Sequence, residues 1–364
     1  MNSAQLKVNS SNMKAPKSFC VLIICALLHV FPGSDVFAEG DQEIAGSTVF
    51  GVAREKPFQF FTFTFENDVF VGEDDGFTNG TGLTYGRGPF LSFDGEIPGF
   101  LNSITKPLYI QTIPNRVHGV AYMLFQTLQT PEDITIAEFQ PDQLPYAGSL
   151  ILQTQLYSWN TNVSDQLSLF LGIVGPLAFG EESQTFIHSL IGSDEPEGWD
   201  FQLDNEPVFR VEARHVHKLA RAYGKSLGFD LLGLGTAGIG NLRSNAEASL
   251  AIRFGSNLKF SHATFSLQSD RQVNSLSLAT GNDWFAYFGA SAELVANDIL
   301  IDGNTFEDSP SQELENFQNS FAAGVVAKFG PLAYVFQITS TSPATEIQDD
   351  RESFGAFSIT YPFR

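Results

Sequence analysis

The chain reads as all-β: a twelve-stranded antiparallel transmembrane β-barrel with a short helix in one external loop. Three observations predict this. An apolar leader opens the chain, period-two alternation runs from residue 58 to the end, and no cysteine stands beyond residue 25. Ten-residue alternating segments separated by turn residues are the pattern of an outer-membrane barrel.

The leader carries Lys7, Lys14 and Lys17, then the run Phe19 to Leu28, then small residues ending Val36-Phe37-Ala38. A basic region, a short apolar core and an A-x-A-like site make a secretory signal peptide over 1–38. That core falls short of the ~20 residues a spanning helix needs. Both cysteines, Cys20 and Cys25, lie inside it. The expected mature chain therefore has no thiol and no disulfide, although it enters an oxidising compartment.

Residues 39–364 keep 17 basic against 40 acidic residues, a net charge of −23. Nucleic acid needs a basic partner surface, so that class is excluded. Such a surface suits divalent cations instead. No run beyond residue 38 approaches 18 consecutive apolar residues, which leaves strands as the membrane-crossing element.

A mature N-terminal segment is expected over 39–57 and the barrel over 58–364. Strands are expected at 58–66, 81–88, 119–127, 147–159, 166–175 and 208–218. Six more follow at 225–235, 246–255, 284–297, 320–330, 332–341 and 354–362. In the first, Thr62, Thr64 and Glu66 alternate with Phe61, Phe63 and Phe65. Segment 258–268 could be a thirteenth strand, but bacterial barrels have even counts and it is assigned to a connection. The aromatic residue Phe363 is penultimate in the sequence, with Arg364 after it.

Strand parity gives topology. If the first strand runs outward from the periplasm, the outer gaps are 67–80, 128–146, 176–207, 236–245, 298–319 and 342–353. The inner gaps 160–165, 219–224 and 331 are short, as periplasmic turns should be. Gaps 89–118 and 256–283 are longer than that rule expects. His215 and His217 fall near the inner end of a strand, and His118 and His262 map to the inner side as well.

The gap 176–207 carries the chemistry. Loops longer than about 12–15 residues are uncommon in compact domains and are often functional. GEESQTFIHSLIG, from Gly180, suits two turns of helix with Gln184 and His188 on one face. A lid without special chemistry is the competing reading. Parity sets this loop on the same rim as Asn67-Asp68 and Gly76-Phe-Thr78-Asn79-Gly80. Asn and Asp at a strand end also suit a plain turn. Yet Asn67, Asp68, Thr78 and Asp194 are oxygen donors suited to Ca²⁺, and a neutral His188 beside them could act as a general base. No G-x-S-x-G, H-E-x-x-H or P-loop pattern offers another chemistry.

Phe65-Glu-Asn-Asp68 with Thr78-Asn-Gly80, then Pro145-Tyr-Ala-Gly148, then Gly175-Pro176 through Gln184, His188, Gly198-Trp199 and Asn205-Glu206, resemble the outer-membrane lipid A deacylase family. The resemblance covers essentially the mature chain and is densest from about 60 to 210. It implies a twelve-stranded barrel in the outer membrane of a Gram-negative bacterium. It also implies a calcium-dependent site between wall and helix that removes the 3′-linked acyloxyacyl chain of lipid A, and hence lipopolysaccharide as partner. Residue by residue it implies His188 as general base, Asn67 and Asp68 at the calcium site, Thr78 as a polar site group and Gln184 as support for the helix. Asp194 stands where a family member has Glu. Gln140 stands where that member has a Lys, and no Lys or Arg lies between 117 and 209. A glycerophospholipid-cleaving barrel and a non-catalytic porin or structural barrel are the alternative readings.

Overall fold

The computed structural model describes residues 48–49, 52–53, 57–67, 77–256, 258–262 and 284–363. The expected signal peptide lies outside these residues, as do Asp68 and most of segment 258–268. Before the barrel, β1 (Thr48–Val49) and β2 (Val52–Ala53) form a two-residue antiparallel ladder.

Twelve antiparallel strands then close on themselves. They are β3 (Phe58–Asn67), β4 (Phe77–Phe90), β5 (Val117–Gln129), β6 (Ala147–Trp159), β7 (Val163–Val174) and β8 (Glu206–Tyr223). The second half is β9 (Gly228–Gly240), β10 (Arg243–Gly255), β11 (Trp284–Asp298), β12 (Phe317–Phe329), β13 (Leu332–Thr341) and β14 (Glu352–Phe363). Every strand pairs with its sequence neighbour, and β14 pairs with β3 to shut the barrel, with Gly355 opposite Asn67. All twelve expected strands are present. Closure leaves no sheet edge, which is what permits a sheet to cross a bilayer.

Period-two alternation decides which side chains meet lipid. On β3, Phe61 and Phe63 are exposed outward while Thr62, Thr64 and Glu66 are buried inward. Thr62 bonds Thr360 at 2.8 Å and Thr64 bonds Ser358 at 2.8 Å, stitching the closing seam from inside. Exposed Leu250, Ile252 and Phe254 on β10, and Phe321 and Val325 on β12, continue the apolar outer band. No helix among the described residues is long and apolar enough to cross a membrane.

The lumen is packed. In its inner half Val216, Leu232, Phe285, Tyr287 and Val326 form an apolar cluster with Leu258. Arg253 makes a fork to Asp230, Nε to Oδ1 at 2.8 Å and Nη2 to Oδ2 at 2.6 Å. The chain after β10 turns back into this mouth. Lys218 Nζ donates to the carbonyls of Leu258 (2.9 Å) and Lys259 (2.8 Å), and Arg253 Nη2 to that of Ser261 (3.0 Å). At the outer mouth, Leu203 and Ile299 pack on Phe125, Ile151, Phe170 and Val208.

Several gaps differ from expectation, and the inner turn expected at 219–224 falls at 224–227 because β8 runs on to Tyr223. The outer gap 236–245 shrinks to Asn241-Leu242, because β9 and β10 both extend to the rim. The long inner gap holds two short helices, α1 (Gly99–Thr105) and α2 (Tyr109–Thr112). They pack outside the wall: Phe93, Ile97, Leu101 and Ile110 cluster with Val120 and Leu156. Val120 shares the outward parity of exposed Leu124, and Leu156 that of exposed Leu152.

Candidate functional site

The outer loop after β7 is folded throughout. Gly175 begins it at φ +101°, and a Cβ there would meet the Asp204 carbonyl carbon at 2.6 Å, so only glycine lets the two ends of the loop touch. A 3₁₀ turn, Pro176–Ala178, leads into α3 (Gly180–Ile191). Glu181 and Glu182 in the first turn favour the helix dipole. Gly192, at φ +77°, ends the helix in a left-handed cap, with Gly192 N and Ser193 N both donating to the His188 carbonyl at 2.8 and 3.2 Å.

Helix α3 is moored to the outer face of the wall. Gln126 Nε2 donates to the carbonyls of Ala178 (2.6 Å) and Phe179 (3.1 Å). That grip holds Phe179 in a left-handed conformation, φ 60°, which costs a non-glycine residue roughly 1–2 kcal/mol. Gln126 has the outward parity of Leu124, so it is a polar residue standing in an apolar row. Gly148 and Gly180 let backbones meet: a Cβ on Gly148 would lie 3.2 Å from Gly180 Cα.

Beneath the helix lies a buried aromatic seat. Trp199, 2% exposed, packs against Tyr146 at 5.0 Å between ring centroids and joins Leu128 on the wall. Its Nε1 donates to Gln184 Oε1 at 2.8 Å. An indole N–H can only donate, so the amide oxygen of Gln184 is assigned. Gln184 Nε2, also buried, has no hydrogen-bond partner among the described residues. Burial pushes the Tyr146 phenol up to about 12.

His188 sits one turn beyond Gln184, half-buried, with Nδ1 2.6 Å from the Asp194 carbonyl. A carbonyl only accepts, so Nδ1 carries a proton, and the tautomer this selects for the uncharged ring has its lone pair at Nε2. The arrangement is an oriented imidazole with one nitrogen available for proton transfer.

The other expected residues divide. Asn67 ends β3 on the outward parity of Phe61 and Phe63, the same side of the wall as α3. Register links the two: Phe65 pairs with Thr81, and Thr81 with Gln126. Strands lie about 4.8 Å apart, so Asn67 stands roughly two strand spacings from the mooring of α3. Thr78 lies in β4, where its side chain falls outside the described residues, and Asp68 lies outside them altogether. Asp194 is exposed and contributes its backbone carbonyl to His188. Among the described residues, no three His, Cys, Asp or Glu side chains gather as a metal cluster. Gln140 donates to the Asp133 carbonyl at 2.8 Å, a turn contact.

Gln126, Trp199 and the Gly148–Gly180 approach are positioning features that the sequence reading does not single out as site residues. The one signal for Gln126 was its polarity between Leu124 and Leu128 on a lipid-facing parity. For Trp199, fifteen residues from Gln184, periodicity carried no signal.

No curated protein sequence matches this chain. Among solved structures, LpxR from Salmonella typhimurium superimposes with a TM-score of 0.68 at 16% identity, over 83% of this chain and 99% of that one. The KdgM porin reaches a TM-score of 0.34 at 7% identity, over 84% of this chain and 99% of that one. The AIDA-I transport unit from Escherichia coli also gives 0.34, at 8% identity over 95% and 98%. The family model described as outer membrane protein LpxR matches residues 22–363. A closed twelve-stranded barrel with an apolar outer band, matched by that model over nearly its whole length, belongs to the LpxR family of outer membrane proteins.

Proposed function

We propose that this protein is a calcium-dependent esterase that removes the 3′-linked acyloxyacyl chain of lipid A, with His188 as its general base. The observation that carries the reading is the bond from His188 Nδ1 to the Asp194 carbonyl, which leaves Nε2 to accept a proton. The ring rides on a helix moored to the lipid-facing side of the wall, where the ester of an outer-leaflet lipid could reach it. Exposed Phe186 and Leu190 on the same helix offer apolar surface to acyl chains.

In this mechanism Nε2 takes a proton from a water whose oxygen attacks the ester carbonyl carbon. The tetrahedral intermediate collapses, the bond from carbonyl carbon to the sugar-side oxygen breaks, and His188 returns the proton to that oxygen. A free acyloxy fatty acid and a sugar hydroxyl result. Gln184, whose amide oxygen accepts from the buried Trp199 indole, would support the helix turn that carries His188. The donor chemistry of Asn67, Asp68, Thr78 and Asp194 fits a hard cation. Asn67 and Asp68 would hold it, with Asp194 contributing from the loop, and bound Ca²⁺ would supply positive charge against the developing oxyanion.

A second reading, glycerophospholipid as substrate, has one observation in its favour. No Lys or Arg lies between 117 and 209 to meet a lipid A phosphate, and the Gln140 amide is committed to Asp133. Purified protein in mixed micelles of lipid A and phosphatidylethanolamine tests both, with mass spectrometry of each lipid. Loss of one whole acyloxyacyl group from lipid A alone supports the first reading. Lysophospholipid alone supports the second, and neither product in excess Ca²⁺ overturns both.

A further inference from the structure

The inner half of the β5–β8 wall breaks the barrel's own rule. Outward parity on β5 reads Leu124, Tyr122, Val120, His118 toward the inner end. On β7 it includes Asp165 before Val163, and on β8 His215 and His217 before the exposed Leu219. Asp165 accepts from His215 Nδ1 at 2.8 Å and lies 3.5 Å from Arg116 Nη2. Charged and imidazole groups on the lipid face of a barrel are costly, the more so toward mid-membrane. They are tolerable here because segment 91–116 lies over them. Phe93 covers the His118 ring at 4.7 Å, Arg87 on β4 is ion-paired to Glu96, and Arg116 Nη1 donates to the Val163 carbonyl at 3.0 Å.

The far side of this cover is apolar. Phe100 is 74% exposed and Ile104 59%, one turn apart on α1, and Leu108 follows at 39%. A second face of α1, about 100° round, buries Leu101 against Val120 and Leu156 of the wall, with Thr105 buried beside it. A helix apolar on both faces is fully seated only between two apolar phases. One phase is the wall. The other is contiguous with a band already in lipid: exposed Leu124, Leu152 and Leu171 lie on the same wall just above. Elsewhere, as on β10 and β12, the strands themselves carry that band to the inner rim through Phe254 and Phe329.

We infer that segment 91–116 is a membrane-embedded cover, with Phe100, Ile104 and Leu108 seated among the phospholipid acyl chains of the periplasm-facing leaflet. It completes the apolar band where β5–β8 turn polar. Exposed Lys106, between α1 and α2, marks the headgroup level, its ammonium 3.6 Å from Asp94. The lipid face below the candidate site is thus built from helices, at a larger radius than the strands.

Site-directed fluorescence tests this. Phe100→Cys and Ile104→Cys are made with Cys20 and Cys25 replaced by serine, labelled with an environment-sensitive dye and reconstituted in phosphatidylethanolamine–phosphatidylglycerol vesicles. Leu124→Cys is the lipid-facing reference and Lys225→Cys, in the exposed turn after β8, the aqueous one. Heat-modifiable gel mobility confirms a folded barrel, and Leu108→Cys substitutes for either variant that fails it. The expected result is a blue-shifted emission, quenched by spin-labelled acyl chains as at position 124 and insensitive to iodide. Iodide quenching matching position 225 would overturn the proposal. So would protection from both quenchers, which would mean that protein covers this face.

Discussion

Replacing His188 with glutamine separates proton transfer from architecture. The side chain is half-buried on α3 and makes one hydrogen bond, Nδ1 to the Asp194 carbonyl. A single such bond contributes about 0.5–1.5 kcal/mol, little against a barrel closed by twelve strand pairings. Glutamine can donate to the same carbonyl but has no lone pair basic enough to take a proton from water. General-base catalysis contributes about 10²–10⁴-fold, equivalent to roughly 2.7–5.4 kcal/mol of activation free energy at 1.36 kcal/mol per decade. Turnover of His188→Gln should therefore fall at least about a hundredfold, while heat-modifiable mobility stays within error of the parent. The assay is mass spectrometry of lipid A from vesicles over a time course, with His215→Gln as a control on the inner side of the wall. Near-parental deacylation by folded His188→Gln would refute the assignment and leave α3 a lid.

Excess chelator should abolish activity and Ca²⁺ restore it better than Mg²⁺, which demands near-octahedral geometry; undiminished hydrolysis in chelator would sink the metal requirement, and Asp68→Ala should raise the Ca²⁺ needed for half-activity. Gly180→Val should unseat α3, since a Cβ there would lie 2.6 Å from the Trp199 indole; wild-type activity in a folded variant would show that the helix–wall contact is dispensable. Trp199→Phe strands the buried Gln184 oxygen at a cost of about 1–3 kcal/mol, so Trp199→Phe should lower kcat more than it raises KM; the converse would make the indole a substrate contact. Arg253→Met leaves Asp230 buried without its fork and should lower stability by about 3–5 kcal/mol, read as a shift in the denaturant midpoint in detergent, with deacylation unchanged because the pair lies at the opposite mouth.

The barrel was legible because lipid and lumen impose opposite demands on alternate residues. Phe61, Phe63 and Phe65 against Thr62, Thr64 and Glu66 state the strand, its face and its neighbours in one short run. Gly235 to Gly240 gave no such contrast, which is why the turn at Asn241-Leu242 was anticipated as a longer gap. Segment 91–116 was legible as long but not as a cover. Its apolar residues serve two phases at once and so carry no single-face periodicity. In the site, Gln184 and His188 could be paired because helical spacing is local. Their partners could not: Trp199 reaches Gln184 across a loop, and Gln126 reaches α3 from another strand. The Asp194 carbonyl that orients His188 is backbone, and no residue type announces it.

The seam between β14 and β3 carries a consequence for assembly. Thr62 and Thr360, bonded across it, stand 298 positions apart. Closing so long a loop carries the largest entropic cost of any pairing in the sheet, because that cost grows with the logarithm of the intervening length. Hairpins β5–β6 and β7–β8 form from adjacent sequence, so the wall that moors α3 can mature early. Strand β3, which ends in Asn67, keeps one open edge until the final strand arrives, with Gly355 as the partner of Asn67 itself. On the proposed site, the histidine half is built from local sequence, while the Asn67 half depends on the pairing that spans the longest stretch of chain. On the proposed function, an ester hydrolase made in this order would stay incomplete until its barrel is sealed in the membrane.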